Sequence, residues 1–559
     1  MSQPSRSRVA RRARLPLPVT LTVAAMALAA CGSEAAETGE QGDNGADEAA
    51  TGEPTAGGQL VYLEYQPHDT LYPPQTGFYP NSGLMVNVAD RLTYQDPETL
   101  GIHPWVATDW EINDDATEYV FTLREDVTFS DGTPLNAEVV AKNFDTYGLG
   151  DTDRGLTVSE SVNNYAGSEV LGEYEVRFTF DAPAPGFLQA TSTYTTGLLS
   201  AETLDGTLED FGAGNATNVI GSGPFVITEE DQGTRLLLEA REDYDWAPEA
   251  RDHSGRAYLD AIEILVTPED SVRIGSLTSG QADYIRYVQA HDEGQVSDAG
   301  YELFAPGTRS VSNGLAFRVG NPLVEDERVR RAIILAADTE QIVETIYSEN
   351  YPVATGVLVQ DAAGYVDLSE ELLVHDPEEA ARLLDEAGWD EIGSDGIRVR
   401  DGERLSLRVW PARPQPLSRP NLELLAQQLA AVGVELDVLS GDQAQENIEI
   451  RDPQLTPLYH GMVGRADHDV IKSFFHPENR DQLITEDEEL IALLERVASE
   501  PDAQSRDEAS ADVQRYLAEN SLYLPIFEEP QVFGAAPHVH GIEFDPVARP
   551  DFYETWLDQ

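Results

Sequence analysis

The chain reads as a mixed α/β protein of at least two lobes. Its 559 residues exceed what one hydrophobic core serves, since single cores stop growing near roughly 250–300 residues. Segments with two-residue apolar alternation are interleaved with segments of helical period, and some strand segments lie close enough in sequence to pair antiparallel. Hydrophobic residues make up 41% and aromatic residues 8%, enough to fill ordinary cores.

The elements follow in order. Residues 59–65 (QLVYLEY) form a first strand, and 83–92 carry helical periodicity. Residues 117–129 alternate as a strand and lead into Asp131-Gly132-Thr133-Pro134, a turn in which glycine takes a positive φ. Asn136 is the N-cap expected for the helix AEVVAKNFD. Residues 173–181 alternate again, Ile220 to Phe225 (IGSGPF) make a tight Gly/Pro crossing, and 234–240 and 258–266 are further strands. Helices are expected at 328–337 and 376–387, the second stopped by Gly388. Strand 405–410, helix 420–433 closed by Gly433, strand 434–439, helices 486–499 and 505–519, and strand 522–527 complete the series. There is no internal repeat.

The N-terminus reads as an export and anchoring device. Arg6, Arg8, Arg11, Arg12 and Arg14 precede the uncharged, mostly apolar run 15–30, which is too short for a stable membrane span. The run ends in Leu28-Ala29-Ala30-Cys31-Gly32, which resembles the bacterial lipobox, in which diacylglycerol is attached to the cysteine before cleavage. Residues 1–31 are therefore expected to be a lipoprotein signal peptide, with Cys31 the lipidated residue and an N-acyl chain on it also compatible. Arg11-Arg12 hints at twin-arginine export, but the context favours the general secretory route. Residues 32–57 are small, acidic and free of aromatics, as expected of a disordered tether. Cys31 is the sole cysteine, so no intrachain disulfide supports the fold.

The charge is extreme: 101 acidic residues against 36 basic ones give a net of −65. Only Lys142 and Lys472 among the basic residues are lysines. Such a surface repels nucleic acid and anionic headgroups, so no nucleic-acid partner is expected. Two readings of the acidity stand: adaptation to a saline or alkaline exterior, and an acid-rich proteome.

Motifs for catalysis are missing. There is no G-x-S-x-G, H-E-x-x-H or C-x-x-C, and neither lysine follows a glycine as a P-loop requires. Carboxylate pairs mean nothing in so acidic a chain. His460, His468 and His476 recur at eight-residue spacing, and His538 and His540 are near neighbours; without a firm ligand pattern they read as solvated loop residues, and no metal is expected.

Seven motifs in one order resemble a known family. Pro104-Trp105-Val106-Ala107-Thr108-Asp109-Trp110 is similar to P-x-L-A-x-S-W, and Tyr119 to Pro134 to a y-x-F-x-L-R-x-x-v-x-F-x-D-G-x-P signature. Gly221 to Phe225 is similar to G-T-G-P-Y, while Tyr258-Leu259-Asp260 and Ser279 to Asp283 match YLD and sGevD. Asp326 to Ala336 and His375 to Trp389 resemble D-x-R-V-R-q-A-i-x-x-A and yDPekAkxLLxeAGW. These are the patterns of the extracellular solute-binding proteins of family 5, which serve peptide and nickel ATP-binding-cassette importers.

The resemblance implies a two-lobed, periplasmic-binding-protein-like type II fold with an extra inserted domain. Lobe one is expected at 58–85, 218–312 and 522–559, the inserted domain at 86–217 and lobe two at 313–521. It implies a monomeric receptor with no enzymatic activity and no cofactor beyond the lipid. The receptor would sit on the extracytoplasmic face of the bacterial cell membrane and deliver a small solute, expected to be a peptide, to permease subunits with separate ATPase subunits. The rival solutes are nickel–metallophore complexes and oligosaccharides; a secreted hydrolase and a sensor or chaperone without transport are more distant readings. For the site, the segment Leu458 to Pro477 resembles the family stretch where an aspartate holds a peptide's α-ammonium. Asp467 is the best match and Asp469 the runner-up, with Arg465 placed to hold a ligand carboxylate or to pair with Asp467; a helix-capping role for Asp467 is the competing reading. Tyr65 and Trp410 end strands that commonly face such a cleft, and Tyr79 and Tyr194 are loop aromatics expected to line it.

The charge generates a testable consequence. Self-repulsion at −65 is relieved as salt shortens the Debye length to about 3 Å at 1 M. The melting temperature followed by circular dichroism is expected to rise from low salt to about 1 M; a flat or falling curve would remove the argument for a saline exterior.

Overall fold

The computed structural model describes residues 53–370, 373–413 and 415–558. The signal region and Cys31 lie outside the described residues. Thr55 Oγ1 already donates to Leu557 O (2.8 Å) and Gly57 N to Tyr258 O (2.8 Å), so the tether expected to reach residue 57 is docked from Thr55 onward. No helix among the described residues is long and apolar enough to cross a membrane.

Lobe one is organised on a seven-stranded mixed sheet. Its spatial order is Glu302–Phe304, Phe533–Ala535, Tyr284–Arg286, Gln59–Glu64, Ala261–Val266, Arg235–Ala240 and Phe225–Asp231. The first strand lies near the centre, parallel to both its neighbours, which is why it reads as a nearly continuous apolar run.

The inserted domain carries a four-stranded antiparallel sheet made of Ala107–Ile112, Glu118–Leu123, Glu175–Phe180 and Tyr165–Gly172 in that spatial order. Alternation in EYVFTL turns Tyr119, Phe121 and Leu123 inward. Helix Ala137–Leu149 covers them, started by the Asn136 side chain, which accepts from Val139 N at 3.1 Å. Phe144 meets Phe178 at 4.8 Å between ring centroids, and Phe180 meets Phe187 at 4.6 Å. These buried side chains run on without a break into those of lobe one, so the insertion enlarges that lobe's core rather than forming one of its own. The return to lobe one passes through Gly221-Ser222-Gly223. A Cβ on Gly221 would lie 1.9 Å from Val88 O, and one on Gly223 2.6 Å from Val88 C, so the chain needs glycine to pass beneath helix Tyr79–Val88.

Lobe two is built on the short antiparallel sheet Leu458–Gly461, Asn313–Phe317, Tyr523–Phe527, with Asn313–Phe317 in the middle. Both faces are buried. Leu315 and Phe317 join a core with helices Glu327–Ala336 and Ser418–Ala431, and Ala316 joins a second core with helices Asp469–Phe475 and Ala503–Glu519. Because Tyr523–Phe527 pairs inside this sheet, the chain leaves lobe two after Phe527, six residues later than the sequence division at 521 placed it. The two crossings, 305–312 and 528–532, run side by side. Gln531 N donates to Pro306 O (3.0 Å), Thr308 Oγ1 donates to Glu529 O (3.0 Å), and Gly307 and Pro530 form an antiparallel bridge.

Candidate ligand-binding site

A cavity of about 840 Å³ lies at these crossings and is walled by both lobes. Lobe one contributes Tyr79, Tyr194, Arg286 and Arg549, the crossings contribute Thr308, Glu529 and Gln531, and lobe two contributes Gln415, His460 and Arg465. Five arginines and four carboxylates line it. In a chain where acids outnumber bases 101 to 36, this is a marked local enrichment in cations.

On the lobe-one wall the Tyr79 ring is flanked by two guanidiniums, with Arg286 Cζ 4.2 Å and Arg549 Cζ 4.4 Å from its centroid. Its hydroxyl donates to Ala548 O, and burial pushes its pKa well above the usual tyrosine range. Arg549 also lies 5.3 Å from the Tyr194 ring and donates from Nε to Ser82 Oγ (2.9 Å). Arg286, at the end of its strand, donates from Nε to both oxygens of buried Glu64 (2.8 and 2.9 Å) and from Nη1 to Gln531 Oε1 (3.1 Å).

The lobe-two wall is set by its sheet. Antiparallel pairing brings the start of Asn313–Phe317 and the ends of Leu458–Gly461 and Tyr523–Phe527 to one edge, which faces the cavity. His460 is buried there rather than solvated. Its Nδ1 lies 2.8 Å from Ser418 Oγ, which itself accepts from Ala412 N. Burial pushes the histidine pKa down to about 3, and Nε2 has no hydrogen-bond partner among the described residues.

The sequence-derived candidates divide. Tyr79, Tyr194 and Arg465 stand on the cavity wall. Asp467 stands behind it, gripped by Arg465 through Nε–Oδ1 (2.6 Å) and Nη2–Oδ2 (2.9 Å). Arg465 Nη2 reaches on to Asp469 Oδ2 (3.3 Å), and Asp469 Oδ1 accepts from Arg506 Nη2 (2.5 Å). Helix Asp469–Phe475 has His468 at its N-cap with no side-chain bond, so Asp467 does not cap it. Tyr65 packs on Tyr287 (5.0 Å) and under Arg273 (5.1 Å), supporting a wall residue without being one. Trp410 is buried ahead of the wall residues Pro411 and Ala412. His460, His468 and His476 do not converge. His468 Nε2 lies 2.7 Å from Asp507 Oδ1, and His476 Nε2 lies 2.9 Å from Glu495 Oε1. His476, Glu478 and Glu495 bring ligand atoms within 4.8 Å of one another, away from the cavity wall, where Lys472 Nζ already lies 3.1 Å from Glu495 Oε2.

Sequence reasoning did not single out Arg286, Arg549 or Glu529. The signal available for Glu529 was its place two residues beyond an apolar strand, in Phe527-Glu528-Glu529-Pro530.

Two α/β lobes, two adjacent crossings and a mixed-charge cavity between them define a bilobal solute-binding protein. The chain belongs to the bacterial extracellular solute-binding proteins, family 5, whose middle-region model matches residues 101–482. It is similar to the nickel-binding periplasmic protein of Escherichia coli, 23% identical over 459 residues covering 80% of this chain and 84% of that one. It is 25% identical to the oligopeptide-binding protein AppA of Bacillus subtilis over 437 residues, 76% of each chain. The fold is shared with NikA from Brucella suis in complex with Fe(III)-EDTA (TM-score 0.77, 23% identity, 90% of this chain and 100% of that chain). It is likewise shared with Bacillus subtilis AppA in complex with a nonapeptide (TM-score 0.76, 20% identity, 91% and 100%).

The Arg465 network yields a prediction. Arg465→Met leaves Asp467 buried without its cation and Asp469 with Arg506 alone, and is expected to cost about 3–5 kcal/mol. The urea midpoint reads this directly. Pairing the change with Asp467→Leu is expected to recover most of the loss; an unaltered midpoint in Arg465→Met would show that the network is not a buried one.

Proposed function

We propose that this chain is the lipid-anchored receptor of an ATP-binding-cassette importer on the extracytoplasmic side of a bacterial membrane. It encloses a small solute of the peptide class between its lobes and hands it to permease subunits. The observation that carries the reading is the 840 Å³ cavity with walls from both lobes and both crossings. That volume falls in the range of pockets that enclose drug-sized ligands, about 300–1,000 Å³. Tyr79, Tyr194 and Arg465 are assigned to solute contact, with Asp467, Tyr65 and Trp410 holding the wall from behind. The function requires no bond to be made or broken. The hinge is the pair of adjacent crossings, a few residues that absorb the rotation.

One observation favours a second solute class. Five lining arginines suit a polycarboxylate metal chelate, and the Brucella suis relative was solved with Fe(III)-EDTA. Native mass spectrometry of the protein purified without denaturation separates the two, since a peptide and a metal chelate differ in mass and isotope pattern. Small-angle scattering on stripped and solute-loaded protein is expected to show a smaller radius of gyration with solute. An unchanged radius at saturation counts against hinge closure, and failure to retain any solute counts against the receptor reading.

The anchor is tested separately. Cys31→Ser is expected to move the protein from the membrane to the soluble fraction or to stall it uncleaved. Full membrane retention of the cleaved variant would refute lipidation.

A further inference from the structure

We propose that Glu529 is the countercharge for a protonated amine of the captured solute. This rests on the reading of the cavity as the solute site. Glu529 lies on the second crossing, two residues beyond Tyr523–Phe527, at the cavity-facing edge of the lobe-two sheet. It is 9% exposed and lines the cavity. Its Oε2 accepts from Asn313 Nδ2 (2.8 Å) and Gln415 Nε2 (2.5 Å), and Asn313 Nδ2 also donates to Gln415 Oε1 (3.0 Å). These two amides fix the carboxylate and leave its charge uncompensated. Among the described residues no hydrogen bond reaches Oε1, and no arginine, lysine or histidine forms a salt bridge with either oxygen.

The other three lining carboxylates are differently placed. Glu160 pairs with Arg480 (3.0 Å) and Glu446 with Arg413 (2.5 Å), while Asp545 accepts backbone N–H groups from Val547 (3.0 Å) and Arg549 (2.7 Å). Glu529 is thus the lining acid held by neutral side-chain donors alone. A buried carboxylate without a cation is costly, and the cost is relieved when a ligand brings the cation. Burial accordingly pushes the Glu529 carboxyl up to about 7 in the unliganded protein, with Asn313 and Gln415 opposing the rise. His460, on the other flanking strand of the same sheet, is kept neutral by burial, which pushes its pKa down to about 3, so it brings no charge to the site.

The sign of the pH dependence follows. Amine capture needs ionised Glu529, so affinity rises as pH rises through about 7. Between pH 5.5 and 7.5 the gain is on the order of twentyfold, with most α-amines still largely protonated near their pKa of about 7.7–8.0. The groups around Glu529 are the uncharged Asn313 and Gln415, the tyrosines 287, 347 and 351, whose hydroxyls burial holds far above neutrality, and Arg286 beyond Gln531. Neighbouring Glu528 is also pushed up to about 7 by burial, but it accepts from Gln360 N and does not line the cavity.

The test is affinity selection on the full-length protein with four probes: a tripeptide library, the same library N-acetylated, Fe(III)-EDTA, and a maltooligosaccharide mixture. Wild type is expected to retain free-amine tripeptides over their acetylated twins. Glu529→Gln is expected to weaken the free-amine members on the order of 100-fold and to leave the acetylated ones unchanged. Wild type alone, compared at pH 5.5 and 7.5, gives the same information should the variant fail to fold. Three results overturn the proposal while leaving the receptor reading intact: capture of amine-free probes alone, an amine preference that persists in Glu529→Gln, or a preference independent of pH. Capture of no probe, with an unchanged radius of gyration, overturns both.

Discussion

Arginine is the scarce partner on which this fold depends. With 101 acids against 36 bases, most carboxylates must face solvent, and those that enter the interior need an arginine or an equivalent set of donors. Where an arginine is supplied, the acid becomes a fixed joint. Glu64 is held by Arg286 below the cavity, Asp467 and Asp469 by Arg465 and Arg506, and Asp551 by Arg251, which also reaches Glu543 at 2.8 Å. Burial raises the carboxyl in either setting, Glu543 beside Arg251 included, but neutral donors leave the acid without a salt-bridge partner. Asp90, bonded by Trp246 Nε1 (2.8 Å) and Tyr244 Oη (3.2 Å), is pushed up to about 6 by burial, and Glu529 to about 7. Asp90 is fully buried in a core, whereas Glu529 lines the cavity, and that difference makes the second a recognition group and the first a structural one.

The same pairing sets how the lobes meet. Gln95 Nε2 donates to Ala466 O (3.1 Å), Arg465 Nη1 to Glu160 O (3.4 Å), and Ser473 Oγ and Arg480 Nη2 both reach Glu160 Oε1 (3.2 and 3.0 Å). Each joins lobe two to the enlarged lobe one across the cavity mouth. The Glu160–Arg480 pair is substantially exposed on both sides, and exposed pairs of this kind contribute about 0–1 kcal/mol. That exposed pair adds little to the buried Gln95–Ala466 bond beside it.

Local chemistry was legible in the sequence and long-range chemistry was not. Asn136 caps its helix, Asp376 accepts from Glu379 N, and Gly132, Gly388 and Gly433 take φ of 80°, 82° and 87° at the turns and helix ends expected of them. Each depends on residues within four positions. Helix Asp270–Thr278 and strand Ala107–Ile112 were not read, the first being short and serine-rich, the second presenting mostly exposed polar side chains. Asp467 matched a local pattern, yet its neighbour at 465 neutralises it, and only folding decides between a pair and a free acid. Glu529 depends on Asn313 and Gln415, 216 and 114 residues away, and no window of sequence holds that information.

An exterior at −65 and an arginine-rich cavity act on a solute at different distances. The acidic surface raises the local concentration of cations and lowers that of anions, an effect that reaches about 8 Å at physiological ionic strength and shrinks with salt. Inside the cavity, between low-dielectric walls, charges interact over shorter distances and the nearest groups decide. There the lobe-one wall presents Arg549 stacked between Tyr79 and Tyr194, the second crossing presents Glu529, and the lobe-two wall presents Arg465 and His460. A solute carrying only negative charge would be discouraged outside and would meet Glu529 inside, whereas one carrying only positive charge would be drawn in and then face five arginines. The lining offers both signs to a zwitterion, with two arginines on lobe one, three on lobe two and Glu529 on the crossing between them.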